Sequence, residues 1–347
     1  MARKHGVTRR EALGLGIMGG LSLGLGPLDR IARAAETAPP PTTEPGAVKN
    51  IIFMVADGMS LGVPTMAEPF SHIVRQRGTA WYELLQDAGA VPGFFETTSL
   101  NSLVTDSSAA SSAWGSGARV FNGAVNVLPD GTKLTPIAHV VAGTGRRIGL
   151  VTTTTITHAT PAGFASVSTS RDDEQSIARQ YLDRVDVLMG GGRHFFDAKN
   201  RTDEDDLLGR FVAAGYTHWD RRAQVTAESE APPARILGLF TGGHLPYTVD
   251  WQNQPALQER IPTLAEMTRA ALRTLAGSDK GFLLQIEGGR VDHAAHANDA
   301  AGVLWDQLAF DDAVAVALEF VRARTDTLLV ITSDHGNANP GLNGMGG

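Results

Sequence analysis

The chain has 347 residues, 42% of them hydrophobic, a formal net charge of -7 and no cysteine. This length and apolar content suffice for one large domain or two modest ones. The acidic balance argues against a general nucleic-acid binder, which usually carries a basic face. Without cysteine there is no disulfide framework and no thiolate metal site, so any metal must be held by His, Asp, Glu and hydroxyl side chains.

The N-terminal segment has the pattern of an export signal. A twin-arginine pair at 9–10 precedes an apolar, glycine-rich stretch, 13–28, which is shorter than the roughly 20 residues of a membrane span. A small-residue cleavage motif follows at 32–34. We predict a twin-arginine signal peptide over 1–35, a Pro-rich linker over 36–47, and a periplasmic or secreted protein with no stable membrane span after signal removal. The alternative is a basic start followed by a weak anchor helix.

From residue 48 onward, apolar runs alternate with helical patterns. The runs have the length and composition of buried parallel strands; they are Ile51–Val55, Ile148–Val151, Val185–Met189, Ile236–Phe240, Phe282–Ile286 and Leu328–Ile331. This alternation predicts one α/β domain over 48–347, with a doubly wound, mostly parallel central sheet and helices on both faces. In such sheets the active site lies beyond the carboxyl ends of the strands.

Two helices can be placed by their sequence signals. The string Thr263-Leu-Ala-Glu266 is a capping box that opens a helix through about Leu275. Residues 299–324 have apolar positions at helical spacing. Residues 195–235 are charged and irregular, and we expect them to form a surface excursion.

Four separated segments supply carboxylates, imidazoles and a hydroxyl. They are Val55-Ala-Asp57-Gly-Met, Thr105-Asp-Ser107-Ser-Ala-Ala, Glu287-Gly-Gly-Arg-Val-Asp292-His-Ala-Ala-His296 and Thr332-Ser-Asp334-His335-Gly. Taken singly, Asp57 also fits a turn residue and Ser107 a helix N-cap. Taken together, they are the ligand types of a zinc and magnesium hydrolase. A hydroxyl nucleophile beside such cations suits phosphoryl transfer.

The segment from Glu287 to His296 is the strongest single motif. Asp292 and His296 are four residues apart, so on a helix they share one face and can chelate one cation. A purely structural role for charged groups in a turn and helix start is an equal alternative for this segment alone. Arg171, when considered alone, fits a solvated arginine, but in a phosphate site its planar fork grips two non-bridging oxygens at once.

These segments closely resemble the alkaline phosphatase family. The resemblance covers most of residues 48–340 and includes Asp186-Val-Leu-Met-Gly-Gly-Gly-Arg193, Leu237-Gly-Leu-Phe-Thr-Gly-Gly-His-Leu-Pro-Tyr247 and Pro262-Thr-Leu-Ala-Glu-Met267. It implies hydrolysis of small phosphate monoesters through a phosphoserine intermediate, with two Zn²⁺ and one Mg²⁺. Family members are commonly homodimers, which is carried here by analogy only.

The resemblance also implies a role for each site residue. Ser107 matches the nucleophile, and Arg171 matches the phosphate clamp. The ligands of the zinc that activates the nucleophile match Asp57, Asp334 and His335, and those of the other zinc match Asp292 and His296. The magnesium ligands match Asp57, Thr160 and Glu287, with Asp57 bridging. His158 and His293 stand where some members carry Asp and Lys, and are candidates for positions beside the metal ligands.

One departure concerns the second zinc. The family takes a further ligand for it from a histidine well past the Asp-His motif, and no histidine follows His335 in this sequence. We therefore expect the chain to lack the C-terminal part of the family domain and to bind less zinc with little phosphatase activity. His194 and His244 match other parts of the family pattern, so we leave them outside the predicted site.

Two other functions fit parts of the pattern. The same metal chemistry serves phosphodiesters or sulfate esters in related superfamilies, and a strong preference for a diester would favour that activity. A chain without the further histidine also fits an inactive metal- or phosphate-binding remnant.

Overall fold

The computed structural model describes residues 48–228 and 231–342. The predicted signal peptide and linker, 1–47, lie outside the described residues. The chain divides into two units, and the described part of the smaller one is a short segment, 86–91. In that segment the Gly89 amide donates to the Asp87 carboxylate at 2.8 Å. All that follows concerns the larger unit.

A seven-stranded sheet forms the centre of this unit. Its strands are β1 (Asn50–Ala56), β2 (Arg147–Thr155), β3 (Val187–Gly191), β4 (Thr217–Trp219), β5 (Ile236–Leu239), β6 (Phe282–Gly288) and β7 (Thr327–Thr332). They lie in the order β4-β5-β3-β2-β6-β1-β7, and every neighbouring pair is parallel. Val55 pairs with both Glu287 and Thr332, so the carboxyl ends of β6, β1 and β7 lie level with one another at the same end of the sheet.

Helices connect the strands. They are α1 (Gly62–Arg75), α2 (Ala80–Gln86), α3 (Ser107–Ser116), α4 (Ile137–Ala142), α5 (Ala159–Ala165), α6 (Glu174–Gln180), α7 (Leu207–Ala213), α8 (Arg222–Thr226), α9 (Thr248–Asn253), α10 (Pro255–Arg260), α11 (Leu264–Leu275), α12 (Arg290–His296) and α13 (Ala300–Arg322). Among the described residues, no helix combines the length and the apolar character that crossing a membrane requires.

Apolar side chains cover both faces of the sheet. Successive strand residues point to opposite faces, so Leu283 enters one core and Leu284 the other. The core on the Leu284 side contains Met267 of α11 and Phe310 of α13. The core on the Leu283 side includes Phe164 of α5. This arrangement confirms the predicted doubly wound α/β fold.

The predicted helices begin where their caps indicate. Thr263 accepts a hydrogen bond from the Glu266 amide at 3.2 Å, and the Glu266 carboxylate accepts one from the Thr263 amide at 2.9 Å. Asp299 caps α13 by accepting from the amides of Ala301 and Gly302. These reciprocal bonds satisfy amides that a helix start leaves without partners.

The expectation of an irregular excursion over 195–235 is wrong in part. This stretch contains α7, α8 and the edge strand β4, and it buries Phe211 and Trp219. The sequence did not predict these elements, because charged residues separate the apolar positions and no continuous apolar run results. β2 is also longer than predicted, because its threonines, 152–155, continue the strand and are buried.

Candidate active site

Three carboxylates lie at the carboxyl ends of three adjacent strands. Asp57 follows β1 directly, Glu287 is the penultimate residue of β6, and Asp334 comes two residues after β7. All three are fully buried. The neighbouring strand β2 leads into His158 and α5. The sheet order therefore brings these predicted site residues together at the carboxyl ends of the strands, as expected for a parallel sheet.

The close approach of two of these segments depends on a glycine. Gly58 has a φ of +67°, in the left-handed region, and a Cβ there would lie 2.4 Å from Asp292 Oδ1. Its amide donates to Asp334 Oδ1 at 2.9 Å. A side chain at this position would clash with the Asp292 carboxylate, so glycine is required for the two segments to meet.

Ser107 occupies the first position of α3. Asp106 caps that helix by accepting from the Ala109 amide at 2.9 Å, and its backbone is extended. The Ser107 hydroxyl oxygen lies 3.2 Å from His335 Nε2 and 3.5 Å from Asp57 Oδ1. The sequence prediction of a serine at a helix start is confirmed, although the cap is Asp106. Free amides at this end of α3 favour an anion beside the hydroxyl.

Two groups of ligand atoms converge around Asp57. One atom each from Asp57, Asp334 and His335 lie within 4.8 Å of one another, and the same holds for Asp57, His158 and Glu287. Asp57 is common to both groups, which matches its predicted bridging position. His335 Nε2 is 3.6 Å from Asp57 Oδ1 and 3.3 Å from Asp334 Oδ2.

Burial and crowding raise the proton affinity of two of these carboxylates, Asp57 and Glu287. Burial, followed by the charges of Asp334, Asp292 and Glu287, raises the pKa of Asp57 well above its ordinary value. Burial also raises the pKa of Glu287 to about 7, although the hydroxyls of Thr152 and Thr154 donate to it. Isolated buried carboxylates are costly unless a cation or a proton neutralises them.

The polar atoms at this edge fit divalent cations. Several buried atoms have no hydrogen-bond partner: Asp57 Oδ2, Thr160 Oγ1, Glu287 Oε1 and Asp334 Oδ2. Carboxylate and hydroxyl oxygens with an imidazole are the donors that zinc and magnesium accept. A cation among them would satisfy these atoms and offset the mutual repulsion of the carboxylates.

Asp292 and His296 form a separate and more open pair. Both lie on α12 one turn apart, and His296 Nε2 is 3.3 Å from Asp292 Oδ2. The His296 side chain is 69% exposed, whereas that of Asp292 is 7% exposed. The side-chain amide of Asn337 donates from Nδ2 to Asp292 Oδ1 at 2.8 Å. Within the ranges that the structure describes, no third His, Asp or Glu completes a metal-binding group with this pair.

Arg171 lies between Asp106 and His158. Its guanidinium donates to Asp106 Oδ2 at 3.2 Å and to His158 Nε2 at 3.1 Å. Because Asp106 also caps α3, one carboxylate orients both the helix that carries Ser107 and the predicted phosphate clamp. Arg171 is half-buried, so part of its fork remains accessible to a ligand.

His244 is a residue that the sequence prediction left out. Its ring centroid lies 4.5 Å from that of His293 and 5.7 Å from that of His158, and the latter two are 5.4 Å apart. We call these three rings the imidazole cluster. No sequence signal placed His244 there, since the contact depends on how its loop folds back onto β2 and β3. His194 lies outside the cluster and contacts Phe195.

Known proteins resemble this chain over most of its described length. The profile of the family described as "Alkaline phosphatase" matches residues 48–345. Alkaline phosphatase 3 of Bacillus subtilis is 33% identical over 298 residues, which cover 83% of this chain and 61% of that protein. Streptomycin-6-phosphate phosphatase of Streptomyces griseus is 33% identical, with 88% and 77% covered. The crystal structure of Thermus thermophilus alkaline phosphatase superimposes with a TM-score of 0.78 at 39% identity, covering 84% of this chain and 60% of that one.

Proposed function

This chain belongs to the alkaline phosphatase family, and on that premise we propose that it hydrolyses phosphate monoesters through Ser107. It spans about three fifths of the length of several relatives that it matches, so the activity of the whole protein is part of the proposal. The observation that carries it is the position of the Ser107 hydroxyl. It lies at a helix N-terminus, 3.2 Å from His335 and 3.5 Å from Asp57.

The proposed ligand sets account for the orphaned buried oxygens. Asp57, Asp334 and His335 would hold one Zn²⁺, while Asp292 and His296 would contribute to a second. Asp57, Thr160 and Glu287 would hold Mg²⁺. When bound, such cations act as Lewis acids that favour the ionised hydroxyl and neutralise charge on a phosphoryl group. The buried oxygens without partners support this assignment.

The side chains of this protein perform the remaining tasks. Ser107 Oγ attacks phosphorus while the bond from phosphorus to the ester oxygen breaks, so that a phosphoserine is formed. The proton lost by the Ser107 hydroxyl passes to solvent, and the departing alkoxide takes up a proton from solvent. Water then cleaves the phosphorus–Oγ bond and releases orthophosphate. The Arg171 fork and the free amides of α3 stabilise the oxygens around phosphorus, which is the main electrostatic task in phosphoryl transfer.

Replacement of the nucleophile tests this function. Ser107→Ala should lower turnover of a chromogenic phosphate monoester by about a thousandfold or more, while zinc per chain stays as in the parent. Ser116→Ala is the matched control, since that hydroxyl lies at the other end of α3 and donates to the Ser112 carbonyl. Equal turnover in the Ser107 and Ser116 variants would refute the proposal.

We also propose that the protein is exported by the twin-arginine route. The support is the arginine pair at 9–10 before a mildly apolar stretch, within the residues that the structure does not describe. Replacing both arginines by lysine should leave uncleaved protein in the cytoplasm, and unimpaired export would rule the route out. Homodimer formation stays a prediction, which light scattering of the purified protein would test.

A further inference from the structure

Each ring of the imidazole cluster accepts a hydrogen bond from a group that can only donate. The Thr155 amide donates to His244 Nδ1 at 3.0 Å, Arg290 donates to His293 Nδ1 at 2.6 Å, and Arg171 donates to His158 Nε2 at 3.1 Å. A ring nitrogen that accepts carries no proton, so the N–H of each neutral ring lies on the other nitrogen. The cluster thus offers the N–H groups of His244 and His293 as donors, whereas the N–H of His158 lies on Nδ1, which is buried.

Guanidinium groups lie beside the cluster, and the carboxylates of Asp306 and Asp250 lie near enough to Arg290 to interact with its charge. Burial and the neighbouring Arg290 charge lower the pKa of His244 to about 4. The Arg290 guanidinium stacks 3.8 Å over the Tyr247 ring, and its Nε atom is buried without a partner. Imidazole N–H groups and a guanidinium whose Nε has no hydrogen-bond partner favour an oxyanion.

The outer part of the cluster is open to solvent. His244 is exposed on one side although neighbouring groups cover the rest of its ring, and both His293 and Arg290 are half-buried. A ligand can therefore reach these three side chains directly. On the inner side, His158 contacts Arg171, the predicted phosphate clamp. His244, His293 and Arg290 therefore lie next to the predicted phosphate position and are separated from it by the His158 ring.

The loop that carries His244 is firmly attached to the sheet. The Gly192 amide donates to the Gly243 carbonyl at 2.8 Å, and the Leu245 amide donates to the Thr153 carbonyl at 3.0 Å. A Cβ on Gly191 would lie 2.0 Å from the Gly243 oxygen, so the loop packs directly on the end of β3. An exposed imidazole held this way is positioned for binding, because little further ordering is needed.

We propose that His244, His293 and Arg290 form an outer subsite for a second oxyanion, a carboxylate or a further phosphate, carried by the organic part of the substrate. The inference rests on the proposed function, since the first phosphate must bind beside Ser107 and Arg171. It names the preferred substrate class as phosphate monoesters with a second anionic group.

Binding of matched ligand pairs tests the subsite. The 347-residue chain with Ser107→Ala, loaded with Zn²⁺ and Mg²⁺, would be titrated calorimetrically so that no ester is consumed. One pair is 3-phosphoglycerate and glycerol 3-phosphate, which differ in a carboxylate. The other pair is the bisphosphate and the monophosphate of 1,3-propanediol. We expect the member with the second oxyanion to bind about tenfold more tightly, as one hydrogen bond to a charged group implies. If the second oxyanion strengthens binding in only one of the two pairs, that pair shows whether the subsite prefers a carboxylate or a phosphate.

A conservative variant separates binding from positioning. In His244→Asn the side-chain oxygen can replace Nδ1 as acceptor for the Thr155 amide, while the distal N–H is lost. The ratio of the two Kd values should then fall towards one, and Arg290→Ala should reduce it as well. His194→Ala is the matched control, because this exposed histidine donates its amide to Gly242 in the same loop but lies outside the cluster. Its ratio should equal that of the parent.

The possible failures can be told apart. Orthophosphate binding with equal affinities within both ligand pairs would overturn the subsite and leave the proposed function standing. A preference that survives His244→Asn and Arg290→Ala would also overturn it. If orthophosphate itself does not bind to the loaded chain, both the subsite and the proposed function fail.

Discussion

The carboxylates around Asp57 and the imidazole cluster lie side by side but have opposite electrostatics. Burial and mutual repulsion raise the pKa of Asp57 and raise that of Glu287 to about 7. Burial and nearby guanidinium groups lower the pKa of His244 to about 4 and that of His293 to about 3. The first region has buried carboxylate oxygens without partners, and the second has imidazole and guanidinium donors.

The two regions therefore suit ligands of opposite charge. Buried carboxylate oxygens without partners require cations, and imidazole N–H groups beside guanidinium groups require an anion. Arg171 joins the two regions, because it contacts Asp106 on the side of Ser107 and His158 on the other. A phosphate ester, whose oxygens can contact both, is the ligand that we propose for their boundary.

The largest expected effect comes from breaking the carboxylate region. Asp57→Asn removes the ligand that both candidate groups share, so we expect loss of bound metal and about a thousandfold lower turnover. In the presence of a chelator, the same variant should be more stable than the parent, since one buried charge is gone. Metal per chain and chelated melting temperature check both statements.

Asp306→Asn is the matched control for this experiment. Asp306 is also a buried aspartate, and burial raises its pKa to about 7, but it accepts from Thr248 and belongs to neither candidate metal group. Its replacement should leave metal content as in the parent. Equal metal loss in both variants would mean that the effect reflects buried charge in general.

The next effect is a pH dependence of the chelated chain. Because the folded-state pKa of Glu287 is raised from 4.5 to about 7, its contribution to stability is complete below 4.5 and is lost as the pH rises through about 7. The shift, 7 minus 4.5, corresponds to about 3 kcal/mol. Urea unfolding in chelator should therefore show falling stability between about pH 5 and pH 8.

Two variants sharpen this measurement. Glu287→Gln should flatten the pH dependence, and Asp306→Asn should remove a second contribution of the same sign, since its pKa is also raised. Stability that stays constant or rises over this pH range in the chelated parent would contradict the description of the carboxylate region.

A smaller effect is expected where the two regions meet. Arg171→Ala should weaken orthophosphate binding by about ten- to a hundredfold, because hydrogen bonds to a charged group are lost. Metal content should stay the same, since Arg171 is in neither group of candidate ligands. Arg179→Ala is the control, because that arginine pairs with Asp203 and Asp205 at the surface. Loss of zinc in the Arg171 variant would mean that its position is misassigned.

Much of the fold and of the site could be predicted from the sequence. Apolar runs predicted six strands because buried parallel strands require them on both faces. The ligand types and their place after strand ends predicted the carboxylate region. Edge strand β4 was missed because it is short and only Trp219 is buried in it. The threonines of β2 were missed because they are polar, and their burial depends on contacts such as the one from Thr152 to Glu287.

The imidazole cluster shows where sequence reasoning stops. The resemblance to the alkaline phosphatase family placed His158 and His293 beside the predicted metal ligands. His244 could not, since its position follows from backbone hydrogen bonds between the loop after β5 and the ends of β2 and β3. Such contacts join segments far apart in the chain and leave no local pattern.

Above all, we propose that the Ser107 hydroxyl oxygen accepts the phosphoryl group from the substrate. The direct measurement is acid quenching of the metal-loaded chain during reaction with a phosphate monoester, followed by peptide mass spectrometry. We expect phosphate on the peptide that contains Ser107, and none after the metals are removed with a chelator or in the Ser107→Ala variant. Phosphate on another residue, or turnover with no phosphorylation of Ser107 under any quench condition, would contradict it.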